Sequence, residues 1–240
     1  MTLNYSTPQI EQVTTLTFDI FGTVLDLSGS LIPPLEDLLR KCKATSELTG
    51  EEVWSQWRYR QRIEQYQDNL LLLGHSGYLY VKKRSLIYTL RTLKVEFTLN
   101  LIDDFMNSYQ FLSPFKEAVP SLTRLATKYK LVMLSNGEQE FLEYLADKRI
   151  KFKFDSILSA ETVGQFKPHP SVYRFAAQAL TLEPNQIMMV AAHSFDILGA
   201  RHSGYRGAYV NRYDLPYDET IYKPDFITSN FIELCELLHV

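Results

Sequence analysis

Residues 13–23 have the sequence Val-Thr-Thr-Leu-Thr-Phe-Asp-Ile-Phe-Gly-Thr. The run from Val13 to Phe18 is rich in β-branched and apolar residues, which predicts a buried strand that ends at Asp19. Phe21 stands two residues after this carboxylate, and its side chain can neither donate a proton nor hold a metal. The pattern presents Asp19 as a candidate nucleophile without a neighbouring acid. It suits a leaving group that departs as a stable anion, such as a halide, and suits phosphate esters poorly.

The composition is that of a globular protein. The chain has 240 residues, 45% of them hydrophobic, which suffices for one large core or for a core with a smaller inserted unit. The net charge is −3 and basic residues are scattered, so we expect no nucleic-acid partner. Cys42 and Cys235 lack the spacing of a disulfide framework or a thiolate metal site. No signal-peptide pattern or membrane-length apolar run occurs, so we expect a cytoplasmic protein without a membrane partner.

Two later segments repeat the order of strand, polar residues and helix. Residues 130–134 are largely apolar and precede a helical pattern over residues 138–147, and residues 187–192 precede a helical pattern that runs to residue 203. Alternation of strands and helices predicts an α/β fold with a parallel sheet that is covered on both faces.

Polar residues directly follow each of these strands. Asp19 follows the first, Ser135-Asn136-Gly137 the second, and His193-Ser194-Phe195-Asp196 the third. Ligands of open α/β sheets bind beyond the carboxyl ends of the strands, so we expect Asp19, Ser135 and Asp196 to converge on one crevice. For Ser135 alone the competing explanation is that loops after strands are polar in any such fold.

Residues 28–114 lack strand patterns and show helical periodicity instead. Pro33-Pro34 and Ser113-Pro114 mark the expected boundaries of this segment. We predict a core domain of residues 1–27 and 115–240, and a helical cap domain of residues 28–114 that excludes water from the crevice. The predicted cap helices cover residues 35–43, 51–73, 78–93 and 101–112.

Three arginines lie among aromatic residues in the segment Trp54-Ser-Gln-Trp57-Arg58-Tyr59-Arg60-Gln-Arg62. Arg58 and Arg62 share a helix face because they are four residues apart, whereas Arg60 points elsewhere. The guanidinium group is always charged and weakly hydrated, so an arginine flanked by aromatic residues is a good receptor for a carboxylate or a halide. A solvated charged face is the alternative interpretation.

A second candidate cation lies in the segment Gly164-Gln-Phe-Lys167-Pro-His-Pro-Ser-Val-Tyr173. The prolines end the preceding strand and let a helix begin near Ser171, which leaves Lys167 on a loop at the crevice. A lysine there holds Asp19 ionised, because an opposite charge within a few ångströms favours the carboxylate. The alternatives are a surface lysine and, for Tyr173, an ordinary core residue.

These segments together resemble the haloacid dehalogenase superfamily over nearly the whole chain. Its four ordered motifs match Asp19 with Gly22-Thr23, Ser135-Asn136-Gly137, Lys167-Pro168, and Asp196. Most members are magnesium-dependent phosphatases with a second aspartate at the position of Phe21. The aromatic residue here, with Trp57-Arg58 and the Lys-Pro-x-x-x-x-Tyr pattern that ends at Tyr173, is similar to the L-2-haloacid dehalogenase branch.

The resemblance implies a Rossmann-like core with a cap, and no metal or cofactor. It implies that Asp19 attacks the halogen-bearing carbon of a short 2-haloalkanoic acid, and that water then hydrolyses the aspartyl ester to the 2-hydroxy acid. A homodimer and a preference for the L form are also implied. The expected catalytic residues are Asp19, Lys167, Asp196 and His193, and the expected substrate-binding residues are Phe21, Thr23, Trp57, Arg58, Tyr59, Ser135, Asn136, Tyr173 and Phe195.

The fourth motif departs from the dehalogenase pattern. The serine and asparagine that place the hydrolytic water in this branch are replaced by Ala191 and His193. One hypothesis is that His193, paired with Asp196, serves as the general base, since neutral imidazole titrates near working pH. The alternative is a histidine that only hydrogen-bonds the loop backbone.

Two other functions stay open from the sequence. A magnesium-dependent hydrolase of phosphorus compounds needs a reactive cap lysine, for which Lys82, Lys83 and Lys94 are available, but the bulk of Phe21 disfavours it. The second function that stays open is that of a catalytically silent binding domain. The aromatic residues suggest a tight pocket that favours acids of two or three carbons, and the sequence leaves open whether fluoride can leave.

Overall fold

The computed structural model describes residues 10–44 and 47–240. Within these ranges, six strands form one sheet in the order β5-β4-β1-β6-β7-β8, in which every neighbouring pair is parallel. Two short strands, β2 and β3, pair separately. The strands are β1 (Thr15–Phe18), β2 (Leu25–Asp26), β3 (Ser113–Pro114), β4 (Lys130–Ser135), β5 (Ser156–Ser159), β6 (Ile187–Ala191), β7 (Arg206–Val210) and β8 (Phe226–Thr228).

Strand β1 lies at the centre of the sheet, between β4 and β6. All four of its residues are buried, as expected for a strand covered on both faces. Phe18 is level with Met133 of β4 and with Val190 of β6. The three strands therefore end at the same edge, and the polar residues after them meet there. The predicted α/β fold with a parallel sheet is confirmed.

Nine α-helices are present in the described ranges. None of them is long and apolar enough to cross a membrane. Helix α4 continues as a 3₁₀ turn and α6 as a π-helical turn. The helices are α1 (Leu27–Lys41), α2 (Gly50–Leu70), α3 (Tyr78–Thr92), α4 (Leu99–Met106), α5 (Ala118–Leu125), α6 (Gln139–Tyr144), α7 (Pro170–Leu180), α8 (Ser194–His202) and α9 (Phe231–Leu237).

Two apolar clusters cover the two faces of the sheet. Met188 packs with the apolar residues of α5 and α9, whereas its neighbour Met189 packs with those of α7 and α8. Successive residues of a strand point to opposite faces, so one short apolar run supplies both clusters. The sheet is thereby shielded from water except at its edges.

Helices α1 to α4 form a helical insert, residues 27–111, between β2 and β3. These two strands pair antiparallel, with Asp26 opposite Ser113, so both ends of the insert leave the sheet at one place. Asp26 also caps α1, because its side chain accepts a hydrogen bond from the Gly29 amide at 2.9 Å. Thr49 and Glu52 form a capping box that begins α2.

The predicted boundary at Pro33-Pro34 is wrong, because both prolines lie inside α1. Proline in a helix interior loses a backbone hydrogen bond. Here the affected carbonyls are on the outer face, where Pro33 is exposed and water is available. The opposite face buries Leu31, Leu35, Leu38 and Leu39, and this packing keeps the segment helical.

Replacement of a core residue on β1 should lower stability much more than replacement of a surface leucine. Leu16 is fully buried at the centre of the sheet, so we expect Leu16→Ala to lower the free energy of unfolding by about 2–5 kcal/mol. Leu71 is 67% exposed, and Leu71→Ala should change it by less than about 0.5 kcal/mol. Urea unfolding of both variants checks this, and equal losses would contradict the assigned core.

Candidate active site

Asp19 lies directly after β1, and the turn that follows folds back onto it. Gly22 has a φ of +91°, which other residues rarely adopt, and this turn brings Thr23 under the carboxylate. The Thr23 hydroxyl donates to Asp19 Oδ2 at 2.7 Å and accepts from the Ala192 amide at 2.9 Å. The segments after β1 and β6 are joined in this way, and Asp19 is held in one orientation with only 5% of its surface exposed.

Lys167 is the buried counter-ion of two carboxylates. Its ammonium group donates to Asp19 Oδ1 at 3.0 Å, to Asp196 Oδ2 at 2.6 Å and to the Leu134 carbonyl at 2.8 Å. All three of its protons therefore have an acceptor. The Lys167 amide donates to Asn136 Oδ1 at 2.7 Å, so the loop that carries the lysine is fixed to the end of β4.

One buried ammonium group cannot neutralise both carboxylates, and their pKa values move in opposite directions. Burial raises the pKa of Asp196 to about 6, although Lys167 and the Tyr173 hydroxyl act against this. Burial also raises the pKa of Asp19, but Lys167, His193 and Thr23 oppose it and hold that pKa below its usual value. Asp19 is therefore the carboxylate that stays ionised.

Helix α2 brings Arg58 from the helical insert to the same place. Arg58 Nη2 lies 3.4 Å from Nε2 of His193, and Nη1 donates to Gln61 Oε1 at 2.9 Å. His193 Nε2 also lies 3.0 Å from the Phe21 carbonyl and 3.9 Å from Asp19 Oδ2. Burial lowers the pKa of His193 to about 3, with Arg58 as a further cause. The imidazole is thus neutral at working pH.

Twelve residues enclose a cavity of about 30 Å³ beside Asp19. A cavity needs roughly 10–15 Å³ to hold a water molecule, so the enclosed space suits a very small ligand. The lining residues come from the sheet edge and from the helical insert: Asp19, Phe21, Arg58, Gln61, Arg62, Gln65, Tyr78, Lys82, Asn136, Lys167, His193 and Phe195.

Several residues predicted to bind substrate lie elsewhere. Tyr59 is 71% exposed and faces away from the cavity. Trp57 is fully buried behind Arg58 and packs on Phe105 and Tyr109 within the insert. The helix rotates by about 100° per residue, so the neighbours of Arg58 point into the insert or into solvent.

Four further predicted residues support the cavity from behind rather than line it: Thr23, Ser135, Tyr173 and Asp196. Thr23 holds Asp19, and Tyr173 donates to Asp196 Oδ1 at 2.7 Å. Ser135 is buried, and its hydroxyl lies 3.5 Å from the Gly137 amide. The predicted pairing of His193 with Asp196 is wrong, because Lys167 and Tyr173 occupy the Asp196 oxygens and His193 faces Arg58 instead.

Five residues of the cavity wall were not among the predicted site residues, although Arg62 was predicted to share the face of Arg58 and Lys82 was named for the phosphorus-compound alternative. Gln61, Arg62 and Gln65 follow Arg58 at spacings of three, four and seven, which is one face of a helix. That spacing was the signal by which they could have been found. Tyr78 and Lys82 come from α3, and nothing in the sequence indicates which face of α3 packs against α2.

A family model of haloacid dehalogenase-like hydrolases matches residues 13–204. The chain belongs to the haloacid dehalogenase-like hydrolase family. A curated relative, (S)-2-haloacid dehalogenase 4A of Burkholderia cepacia, is 28% identical over 209 residues, which are 86% of this chain and 87% of the relative. The resemblance found in the sequence is thereby confirmed.

Solved structures of L-2-haloacid dehalogenases have the same fold as this family member. The enzyme of Xanthobacter autotrophicus gives a TM-score of 0.82 at 25% identity and covers 95% of this chain and 98% of its own. A second structure of that enzyme, with chloropropionic acid covalently bound, gives a TM-score of 0.79 at 25% identity and the same coverage.

Removal of the Lys167 ammonium group should leave two buried carboxylates without a counter-ion. We expect Lys167→Met to lower the free energy of unfolding by about 3–5 kcal/mol near pH 7.5. The loss should shrink as the pH falls, because raised carboxyl pKa values let the folded variant bind protons before the unfolded chain does. Urea unfolding between pH 7.5 and 5 measures this.

The matched control is Lys148→Met, since Lys148 pairs with Asp147 on the surface. We expect no measurable change in this variant. A loss for Lys167→Met that does not depend on pH would contradict the assignment of a buried counter-ion.

Proposed function

We propose that this protein hydrolyses short 2-haloalkanoic acids, such as haloacetate and L-2-halopropionate, to the 2-hydroxy acids through an ester on Asp19. The observation that carries the proposal is the buried Asp19 carboxylate, which is oriented by Thr23 and Lys167 in a small cavity that Arg58 also lines. Phe21 leaves no acid beside it. The relatives named as haloacid dehalogenases support the same chemistry.

In the first step, an Asp19 oxygen forms a bond to the carbon that carries the halogen. The carbon–halogen bond breaks, and its electron pair leaves with the halide, so no proton is transferred and the carbon is inverted. Lys167 keeps Asp19 ionised before the attack. After the attack, Asp19 is an uncharged ester. The positive charge of Lys167 then pairs with the negative charge of Asp196, so the buried charges remain balanced.

Two parts of the cavity receive the two ends of the substrate. The Asn136 side of the cavity, where backbone amides follow the end of β4, suits the substrate carboxylate. Arg58 suits the departing halide, because its guanidinium group is charged, weakly hydrated and free of any carboxylate partner among the described residues. Phe21 and Phe195 form the apolar walls.

In the second step, water attacks the carboxyl carbon of the ester and His193 takes its proton. The bond between that carbon and the ester oxygen then breaks, the proton passes from His193 to the departing oxygen of the 2-hydroxy acid, and the Asp19 carboxylate is regenerated. Burial lowers the pKa of His193 to about 3, so the ring is neutral at rest but is a weaker base than an imidazole that titrates near working pH. The support for its role is therefore geometric, because Nε2 has a partner in each protonation state. Unprotonated Nε2 accepts from Arg58 at 3.4 Å, and protonated Nε2 donates to the Phe21 carbonyl at 3.0 Å. This geometry supports His193 as a proton acceptor close to the ester. Ala191 has no polar side-chain group that could take this role.

We also propose that the helical insert acts as a cap domain with the predicted bounds, residues 28–114. Its contacts with the core beside the cavity include three close polar contacts. Asn69 exchanges two hydrogen bonds with the Phe166 backbone, at 2.8 and 2.9 Å, and His75 Nε2 lies 2.8 Å from the Asn136 carbonyl. These contacts suit a lid that closes over bound substrate. A homodimer and a cytoplasmic location stay predictions.

A magnesium-dependent hydrolase of phosphorus compounds is the second candidate. Lys82, one of the three lysines that this function could use, lines the cavity, and that observation favours it. Phe21 opposes it, because its ring stacks on Tyr78 at 4.1 Å and fills the position of the second aspartate. Activity toward haloacids in the presence of EDTA separates the two candidates.

A single turnover in oxygen-18 water tests the ester. With enzyme in excess over chloroacetate, we expect chloride release and one labelled oxygen in the peptide that contains Asp19, because water attacks the Asp19 carboxyl carbon. Mass spectrometry of that peptide is the measurement, and Asp19→Asn should release no chloride. Label that enters the product in the first turnover, with none in Asp19, would mean that water attacks the substrate directly.

His193→Ala should separate the two steps. We expect a burst of chloride close to one equivalent of enzyme and then little turnover, with the carboxymethyl ester retained on Asp19, because water has lost its proton acceptor. Rapid-quench chloride assay and intact-protein mass spectrometry detect this. His202→Ala, at an exposed histidine, is the control. Unchanged turnover of His193→Ala without an adduct would remove His193 from the mechanism.

A further inference from the structure

The wall of the cavity formed by the helical insert is made almost entirely of hydrogen-bond donors. Arg58, Gln61, Arg62 and Gln65 lie along one face of α2, and Lys82 joins them from α3. A helix face that closes a buried site is ordinarily apolar at this spacing. We refer to these five residues as the donor stripe.

Two donors of the stripe have no acceptor. Gln61 and Gln65 are at least nine-tenths buried, and within residues 10–44 and 47–240 neither Nε2 atom meets a hydrogen-bond partner. The orientation of the Gln61 amide is fixed, because Arg58 can only donate and therefore faces the amide oxygen. Buried N–H groups without an acceptor are costly and rare. They indicate a ligand that accepts several hydrogen bonds.

The cations of the stripe also lack anionic partners. Arg62 stacks on Phe195, with its guanidinium carbon 5.6 Å from the ring centroid, and forms no ion pair with a described residue. Lys82 is buried, and its Nζ lies 4.1 Å from the centre of the Tyr78 ring. Burial, with Arg58 and Arg62 nearby, lowers the pKa of Lys82 well below its usual value. The amine of Lys82 donates N–H bonds whether or not it is protonated, so the stripe can surround a small anion.

The size of the cavity limits that anion. The cavity is small, about 30 Å³, which favours the shortest acids and the smallest leaving group. The Asp19 carboxylate shares the same cavity, so an anion held by the stripe lies close to the reacting carbon. The leaving group itself is the anion that the reaction generates there.

We propose that the donor stripe is a fluoride subsite, and that fluoroacetate is a substrate of this cavity. The proposal rests on the proposed function, with fluoride in place of the heavier halides. Asp19 forms its bond to carbon, the carbon–fluorine bond breaks, and the electron pair departs on fluoride without a proton. Fluoride is the smallest halide and the strongest hydrogen-bond acceptor among them, so it leaves well only where fixed N–H donors replace water.

A wall of N–H donors stabilises departing chloride and bromide less than it stabilises fluoride. They are larger and accept weaker hydrogen bonds, so one arginine and the edges of aromatic rings suffice for them. Loss of a stripe donor should therefore affect fluoroacetate much more than chloroacetate. The ratio of the two rates, measured on one protein sample, is insensitive to partial unfolding of a variant.

The test compares kcat/KM for fluoroacetate and chloroacetate, with ion-selective detection of each halide, in the wild type and in Gln61→Leu and Gln65→Leu. Leucine keeps most of the volume and removes the amide. We expect fluoride release by the wild type, and a ratio of fluoroacetate to chloroacetate that falls about 10- to 100-fold in each variant. Gln67→Leu, at an exposed glutamine of the same helix, should leave the ratio unchanged.

Three results would overturn the fluoride subsite. An equal loss for both acids would mean that the stripe holds the substrate carboxylate or only shapes the fold. Chloride release without fluoride release by the wild type would mean that the cavity cannot expel fluoride. Release of neither halide, with no label in Asp19, would overturn the proposed function itself, and the fluoride subsite with it.

A binding measurement covers the case in which the variants do not fold. Fluoride ion alone, titrated into the wild-type protein and followed by fluorine NMR, should bind in competition with chloroacetate and more tightly than chloride does. Binding of chloride in preference to fluoride would contradict the proposal.

Discussion

The shared ammonium group of Lys167 is the interaction on which the rest of the site depends. Asp19 and Asp196 are both buried, and each would be costly as an unpaired charge. Lys167 gives a hydrogen bond to each of them and a third to the Leu134 carbonyl. This lysine must therefore lie between the segment after β1, the segment after β4 and the first turn of α8 if the three are to be buried together. The same contacts that close the sheet edge also orient Asp19, the proposed nucleophile.

The site at the sheet edge has two carboxylates and one ammonium group, and the helical insert adds further positive charge. One ammonium group faces two carboxylates, and burial, with the Asp19 charge nearby, raises the pKa of Asp196 while Asp19 stays ionised. Arg58 and Arg62 enter the same cavity from α2. In the proposed reaction, a substrate anion close to Asp19 would be repelled by the sheet edge alone, and the arginines of the insert supply the positive charge that offsets this repulsion.

His193 illustrates how one residue adapts a common fold. It follows the buried Ala191 and Ala192, and its ring stacks between Phe195 and Tyr213, with centroid distances of 5.5 and 6.2 Å. Burial keeps the ring neutral. The end of β6 has no polar side chain at Ala191. The imidazole of His193, which lies between Arg58 and the Phe21 carbonyl, is the polar group at this place.

The sequence alone determined the parallel α/β sheet, the positions of most helices and the convergence of Asp19, Ser135 and Asp196 at one edge. Strand pattern and chain order suffice for these features, because the carboxyl ends of parallel strands share one edge. Arg58 was assigned to the site by the resemblance to the dehalogenase branch, because its neighbours in sequence also suited a solvated charged face. Helix α1 was misjudged at Pro33-Pro34, since its stability comes from packing of the opposite face rather than from local propensity.

Only the tertiary structure decided which side chains form the cavity wall. Trp57 and Tyr59 flank Arg58 in sequence, yet they point into the insert and into solvent, whereas Gln65 and Lys82 are more distant and line the cavity. The partner of His193 was also undecided, because it depends on which acceptors Lys167 and Tyr173 leave free. Spacing fixes the face of a helix that a residue occupies, but the packing of whole elements decides what that face meets.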